Sequence, residues 1–168
     1  MRKPETLNRK TIEALFIRLN DEYTAFYFYR SASNWCKNVG FFKAAEYFAN
    51  ESADELKHAY GIENYLVDWN VDVLQPFLNP PKVNFLNLVD IIEKAYNLEF
   101  SLYQGYEITS QEIISRNEFS TFDFLSKYRE IQTKSVAEYS DMLNTLDGVD
   151  IRDKFQLLLL EENLFGED

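Results

Sequence analysis

Glycine and proline are scarce: 5 and 4 of 168 residues. Such a chain cannot make the many tight turns of a β-sandwich, and long helices are the expected alternative. The single cysteine excludes a disulfide framework and any cysteine-built zinc or iron–sulfur cluster, and it fits a reducing cytoplasm. No apolar run reaches the length of a membrane span, so no membrane partner is expected. The opening MRKPETLNRK lacks the apolar centre of a signal peptide, which again points to the cytoplasm. Positive charge is in deficit, with 17 Lys and Arg against 28 Asp and Glu, a net charge of −11 and no basic block. That balance argues against a nucleic-acid partner. No internal repeat or low-complexity tract is visible. What is present is 46% hydrophobic and 27% charged residues. A chain of this length buries roughly 70% of its unfolded surface, so residues 1–168 read as one domain needing no covalent staple.

Four long segments read as helices: Lys10 to Asn38, Phe42 to Trp69, Phe85 to Arg116 and Ser120 to Leu146. A shorter one, Ile151 to Leu164, carries four consecutive leucines from Leu157 to Leu160. Asp147-Gly148 marks the end of the fourth. The stretch from Asn70 to Asn84 holds Pro76, Pro80 and Pro81 and reads as an extended connection. A helix of about 28 residues is roughly 42 Å long. Short turns join antiparallel neighbours, whereas a proline-rich connection of this length can travel the whole bundle. The fold class is therefore all-α, a four-helix bundle with one long crossover and a short fifth helix.

The buried stripe of each helix follows a spacing of four and three. In the first it runs Leu15, Leu19, Glu22, Phe26, Tyr29, Ser33; in the second Ala45, Phe48, Ser52, Glu55, Ala59, Ile62, Leu66. The third gives Leu88, Ile92, Ala95, Glu99, Leu102, Tyr106, and the fourth Leu125, Tyr128, Gln132, Ser135, Tyr139, Met142, Leu146. Each stripe is interrupted near its middle by a carboxylate or an amide. A solvated face explains any one of these, and an acidic surplus serves solubility without further purpose. Four interruptions at one level need another cause. Buried unpaired carboxylates cost several kcal/mol each and repel one another, and a divalent cation between them is the simplest remedy. His58, the only histidine, lies three residues after Glu55, so one helix presents a carboxylate and an imidazole on the same side. That donor set suits iron better than copper or structural zinc.

With Glu22, Glu55-x-x-His58, Glu99 and Gln132 in this order, the chain resembles the ferritins, in particular the non-haem bacterial and animal heavy-chain types. The likeness covers nearly the whole length and includes Tyr29, the crossover, Trp35-Cys36 and the fifth helix. It implies an iron-storing cage of 24 subunits with ferroxidase activity, in which O2 or H2O2 oxidises Fe2+ at a dinuclear centre. Glu22, Glu55 and His58 would hold the first iron, Glu55 would bridge to the second, and Glu99 would bind the second with Gln132 beside it. Tyr29 matches a tyrosine that the family places next to the centre. The sequence also departs from relatives. Gln132-x-x-Ser135 stands where bacterioferritins repeat Glu-x-x-His, and Leu56 where their haem-binding methionine would be, so no haem is expected. Asp54, Ile131 and Lys134 replace the glutamates of a third iron site, and Lys134 is free to pair with a nearby acid instead. Phe122 and Leu125 occupy the acidic positions of the animal threefold channel, with Asp123 and Glu118 close by. Two other readings stay open: a catalytically weak shell subunit, and a helical interaction module with structural seam carboxylates.

Overall fold

The computed structural model describes residues 7–79 and 84–166. Among these residues there are five helices and no strand: α1 (Arg9–Val39), α2 (Phe42–Asp68), α3 (Leu88–Ser115), α4 (Phe119–Asn144) and α5 (Lys154–Phe165). Helix α1 starts where the Asn8 side chain accepts from Lys10 N, and it stops at Gly40, whose left-handed φ of 88° turns the chain into α2. α3 begins three residues later than its sequence pattern suggests, because Asn87 accepts from Asp90 N and so caps it. α4 ends at Asn144, before Asp147-Gly148, and α5 starts only after Asp153, whose carboxylate accepts from the Phe155 and Gln156 amides.

Side-chain contacts at the two ends give the helix directions. Trp35 near the end of α1 meets Phe41 before α2 and Phe85 before α3, so α2 and α3 start at the same end. At the other end, Thr11 at the start of α1 donates to Glu118 before α4 at 2.8 Å. It also accepts from Arg116 at the end of α3 at 2.9 Å. Tyr65 near the end of α2 lies 2.9 Å from Thr121 in α4. Thus α2 and α3 run parallel, and the intervening segment crosses the bundle without regular structure between 70 and 79. Pro80 and Pro81 lie outside the described residues. Glu118 is engaged by Thr11 and Arg116, while Asp123 is exposed.

Two apolar clusters fill the bundle. One, around Tyr29, Phe48, Ile92 and Tyr139, sits toward the α2 start; the other, around Leu15, Leu19, Ile62 and Tyr128, sits toward its end. The polar level lies between them. The seam positions are buried as their spacing implies, except that Phe26, Ser135 and Leu146 are only half-buried. The leucine run divides: Leu157 and Leu160 fold back on the chain's own bundle, while Leu159 and the preceding Phe155 remain exposed. Among the described residues no helix is long and apolar enough to cross a membrane.

Candidate metal centre

Glu22 comes from the middle of α1, and Glu55 and His58 from successive turns of α2. One ligand atom from each lies within 4.8 Å of the others. His58 Nδ1 is 3.1 Å from Glu55 Oε2 and 3.6 Å from Glu22 Oε2. Both glutamates are buried, and His58 is half-buried. Glu22 uses its two oxygens differently. Oε1 accepts the hydroxyl of Tyr106, whereas Oε2 has no hydrogen-bond partner among the described residues. An orphaned carboxylate oxygen facing an imidazole and a second carboxylate is what a bound cation would satisfy.

Glu99 on α3 and Gln132 on α4 form the other half. Glu99 Oε1 accepts the hydroxyl of Tyr29. With its amide turned so that donors meet acceptors, Gln132 donates to Glu99 Oε2 at 2.9 Å. Both oxygens of Glu99 are therefore engaged. The two halves communicate through charge. Burial pushes Glu55 well above the ordinary carboxylate range; the His58 contact opposes this, and Glu22 and Glu99 add to it. Burial likewise raises Glu99 to about 7, against the Tyr29 bond. For His58 burial acts downward, but the two carboxylates outweigh it and hold the imidazolium up to about 10. A metal entering such a site would displace protons from it.

All six residues singled out in the sequence lie at this level: Glu22, Glu55 and His58 as one contact group, Glu99, Gln132 and Tyr29 as another. Ser135 is half-buried beside them, and Lys134 pairs with Glu130 at 2.9 Å on the exposed face. Tyr106 was legible only as an apolar stripe position. The signal was present, since Glu22 precedes Tyr29 by the same two turns as Glu99 precedes Tyr106. Glu22, Tyr29, Glu55 and His58 each have a counterpart at one constant separation: Glu99, Tyr106, Gln132 and Ser135. Glu51, one turn before Glu55, was also missed. Burial and the neighbouring Glu138 raise it to about 7, and it accepts from Tyr139 at 3.3 Å.

The sequence pattern of the ferritin-like domain matches residues 12–149. The chain belongs to the ferritin-like family. Among curated proteins it is 24% identical over 140 residues to the bacterial non-heme ferritin of Campylobacter jejuni, covering 83% of this chain and 84% of that one. It is 22% identical over 158 residues to that of Staphylococcus aureus, covering 94% and 95%. Among solved structures it is similar to an open pore ferritin from the hyperthermophilic archaeon Archaeoglobus fulgidus, with a TM-score of 0.88, 21% identity and coverage of 96% and 98%. A humanized archaeal ferritin gives a TM-score of 0.89 at 20% identity, covering 97% and 98%. These structural likenesses establish the ferritin fold: a four-helix bundle with a short C-terminal helix.

Proposed function

We propose that the protein is an iron-storage ferritin with ferroxidase activity, acting in the cytoplasm as a cage. One observation carries this reading: Glu22, Glu55 and His58 converge in the bundle interior, and among the described residues Glu22 Oε2 has no hydrogen-bond partner. Fe2+ is the substrate. Glu22, Glu55 and His58 take the first ion, Glu55 also reaches the second, and Glu99 with Gln132 receives it. Each Fe2+ gives up one electron, and O2 accepts two electrons and two protons to leave as H2O2. The buried carboxylates favour the more highly charged Fe3+, which lowers the barrier to electron loss. Tyr29 holds Glu99 in place. Anaerobic addition of Fe2+ followed by a pulse of oxygen tests the reading. Two ions per chain with fast oxidation is the expected result, and the absence of stoichiometric binding would overturn it.

The second reading, a catalytically weak shell subunit, draws on the engaged state of Glu99. Its oxygens are held by Tyr29 and Gln132, and Ser135 adds no charge. Fewer negative ligands bind a hard cation less tightly, so the second ion is expected to be the looser one. Short metal soaks should show higher occupancy beside His58 than beside Gln132, and Ser135→Glu should raise the second occupancy and slow turnover. Equal occupancy at limiting metal would refute this.

The exposed Phe155 and Leu159 on α5 and Phe42 on α2 are apolar surface that a subunit contact would cover. Light scattering is expected to give a particle near 480 kDa, twenty-four copies of 19.9 kDa. A stable species of monomer or dimer mass would contradict the cage.

A further inference from the structure

Tyr106 occupies a stripe position that phenylalanine would fill equally well for packing. Its ring is fully buried and stacks on Tyr128, with centroids 5.3 Å apart and planes at 13°. The Arg18 guanidinium lies over the ring, 5.7 Å from its centroid. Arg18 is itself buried, and its Nη2 is 2.8 Å from Asp21 Oδ2. It lies against Gly105, where a Cβ would stand 1.5 Å from Nη1 and would make the guanidinium shift. The phenol thus packs against both Tyr128 and Arg18, and its one hydroxyl donates to Glu22 Oε1. A buried hydroxyl must find an acceptor. This one takes the oxygen that Glu22 would otherwise offer to a metal beside Oε2.

We propose that Tyr106 is a positioning residue of the first metal site: its hydroxyl limits Glu22 to coordination through Oε2 alone, which leaves the metal a coordination position open. The proposal rests on the reading of Glu22, Glu55 and His58 as metal ligands. Its logic is that of a partner outside the ligand set that fixes how a ligand binds, in a site that must admit a reactant and so cannot be closed by protein. Tyr29 stands in the corresponding place on Glu99. The two tyrosines therefore act on different metals, each from the helix opposite the glutamate it holds.

Co2+ added without oxygen to the intact protein tests this apart from any turnover, because its visible absorption is strong at coordination numbers of four or five and weak at six. Wild type is expected to show a strong band with the first equivalent, lost in His58→Ala. In Tyr106→Phe both oxygens of Glu22 become available. The band of the first equivalent should fall below half its wild-type intensity, and that ion should bind more tightly. Tyr29→Phe should leave the first equivalent unaltered and change only the second. Helical content by circular dichroism should match wild type in both variants. If wild type takes up no Co2+ at His58, the metal reading fails and the proposal with it. If wild type binds but Tyr106→Phe gives the same band and affinity, the proposal alone is overturned. Weaker binding with an unchanged band per bound ion would also overturn it, leaving Tyr106 a packing role.

Discussion

Glu55→Ala is expected to slow Fe2+ oxidation by at least ~100-fold, since even partners outside the ligand set cost 10–100-fold at metal sites. In the proposed centre Glu55 is the side chain that would serve both ions: it contacts His58 at 3.1 Å and interacts with the charges of Glu22 and Glu99. Its loss therefore removes a ligand from each metal at once. The helical fold should survive. Glu55 is a buried acid among other buried acids, so its removal relieves repulsion in the metal-free protein while leaving both apolar clusters intact. Stopped-flow oxidation together with circular dichroism checks both halves. A variant that oxidises iron at the wild-type rate would remove Glu55 from the centre.

Metal-free protein is expected to lose stability as pH rises through neutrality. Burial holds Glu99 up to about 7 in the fold, against an ordinary value of 4.5. Between those values the folded state keeps a proton that the unfolded state has lost, so stability falls with rising pH and levels off above about 7. Over the whole window this amounts to about 3 kcal/mol, or roughly 10 °C in Tm for a chain of this size. His58 acts in the same direction. Its pKa is raised from 6.5 to about 10, so its contribution is complete below 6.5 and fades toward 10. Bound metal replaces these protons, so affinity should rise over the same range and the loaded protein should show a much flatter profile. Thermal melts from about pH 5 to about pH 8, with and without metal, measure this. A metal-free Tm that rises with pH would refute it.

The positions that interrupt apolar stripes were readable because a buried carboxylate has no purpose in a core. Glu22, Glu55, Glu99 and Gln132 broke a regular pattern at one height, and His58 stood on the same side of its helix as Glu55. The crossover was readable because its prolines forbid helix. Tyr106 was not, since a tyrosine in a stripe counts as apolar until its hydroxyl is seen to reach Glu22. Arg18 was equally hidden. A charged residue reads as surface, and the structure instead buries this guanidinium against Gly105 and pairs it with Asp21. Helix ends shifted where side-chain caps at Asn87 and Asp153 outweighed the apolar pattern.

The tyrosine–glutamate bonds also bear on how the chain folds. Tyr29 and Glu99 are 70 residues apart, and Tyr106 and Glu22 are 84 apart. Each bond joins the α1–α2 hairpin to the α3–α4 hairpin, so neither hairpin alone can orient its own glutamate. Local contacts let the hairpins form early, whereas these bonds wait for the slower non-local docking step. On the proposed reading, a half-made chain ending after α2 carries Glu22, Glu55 and His58 but lacks both Glu99 and the Tyr106 bond, so its centre is incomplete. A metal bound at the completed centre would favour the docked state by mass action.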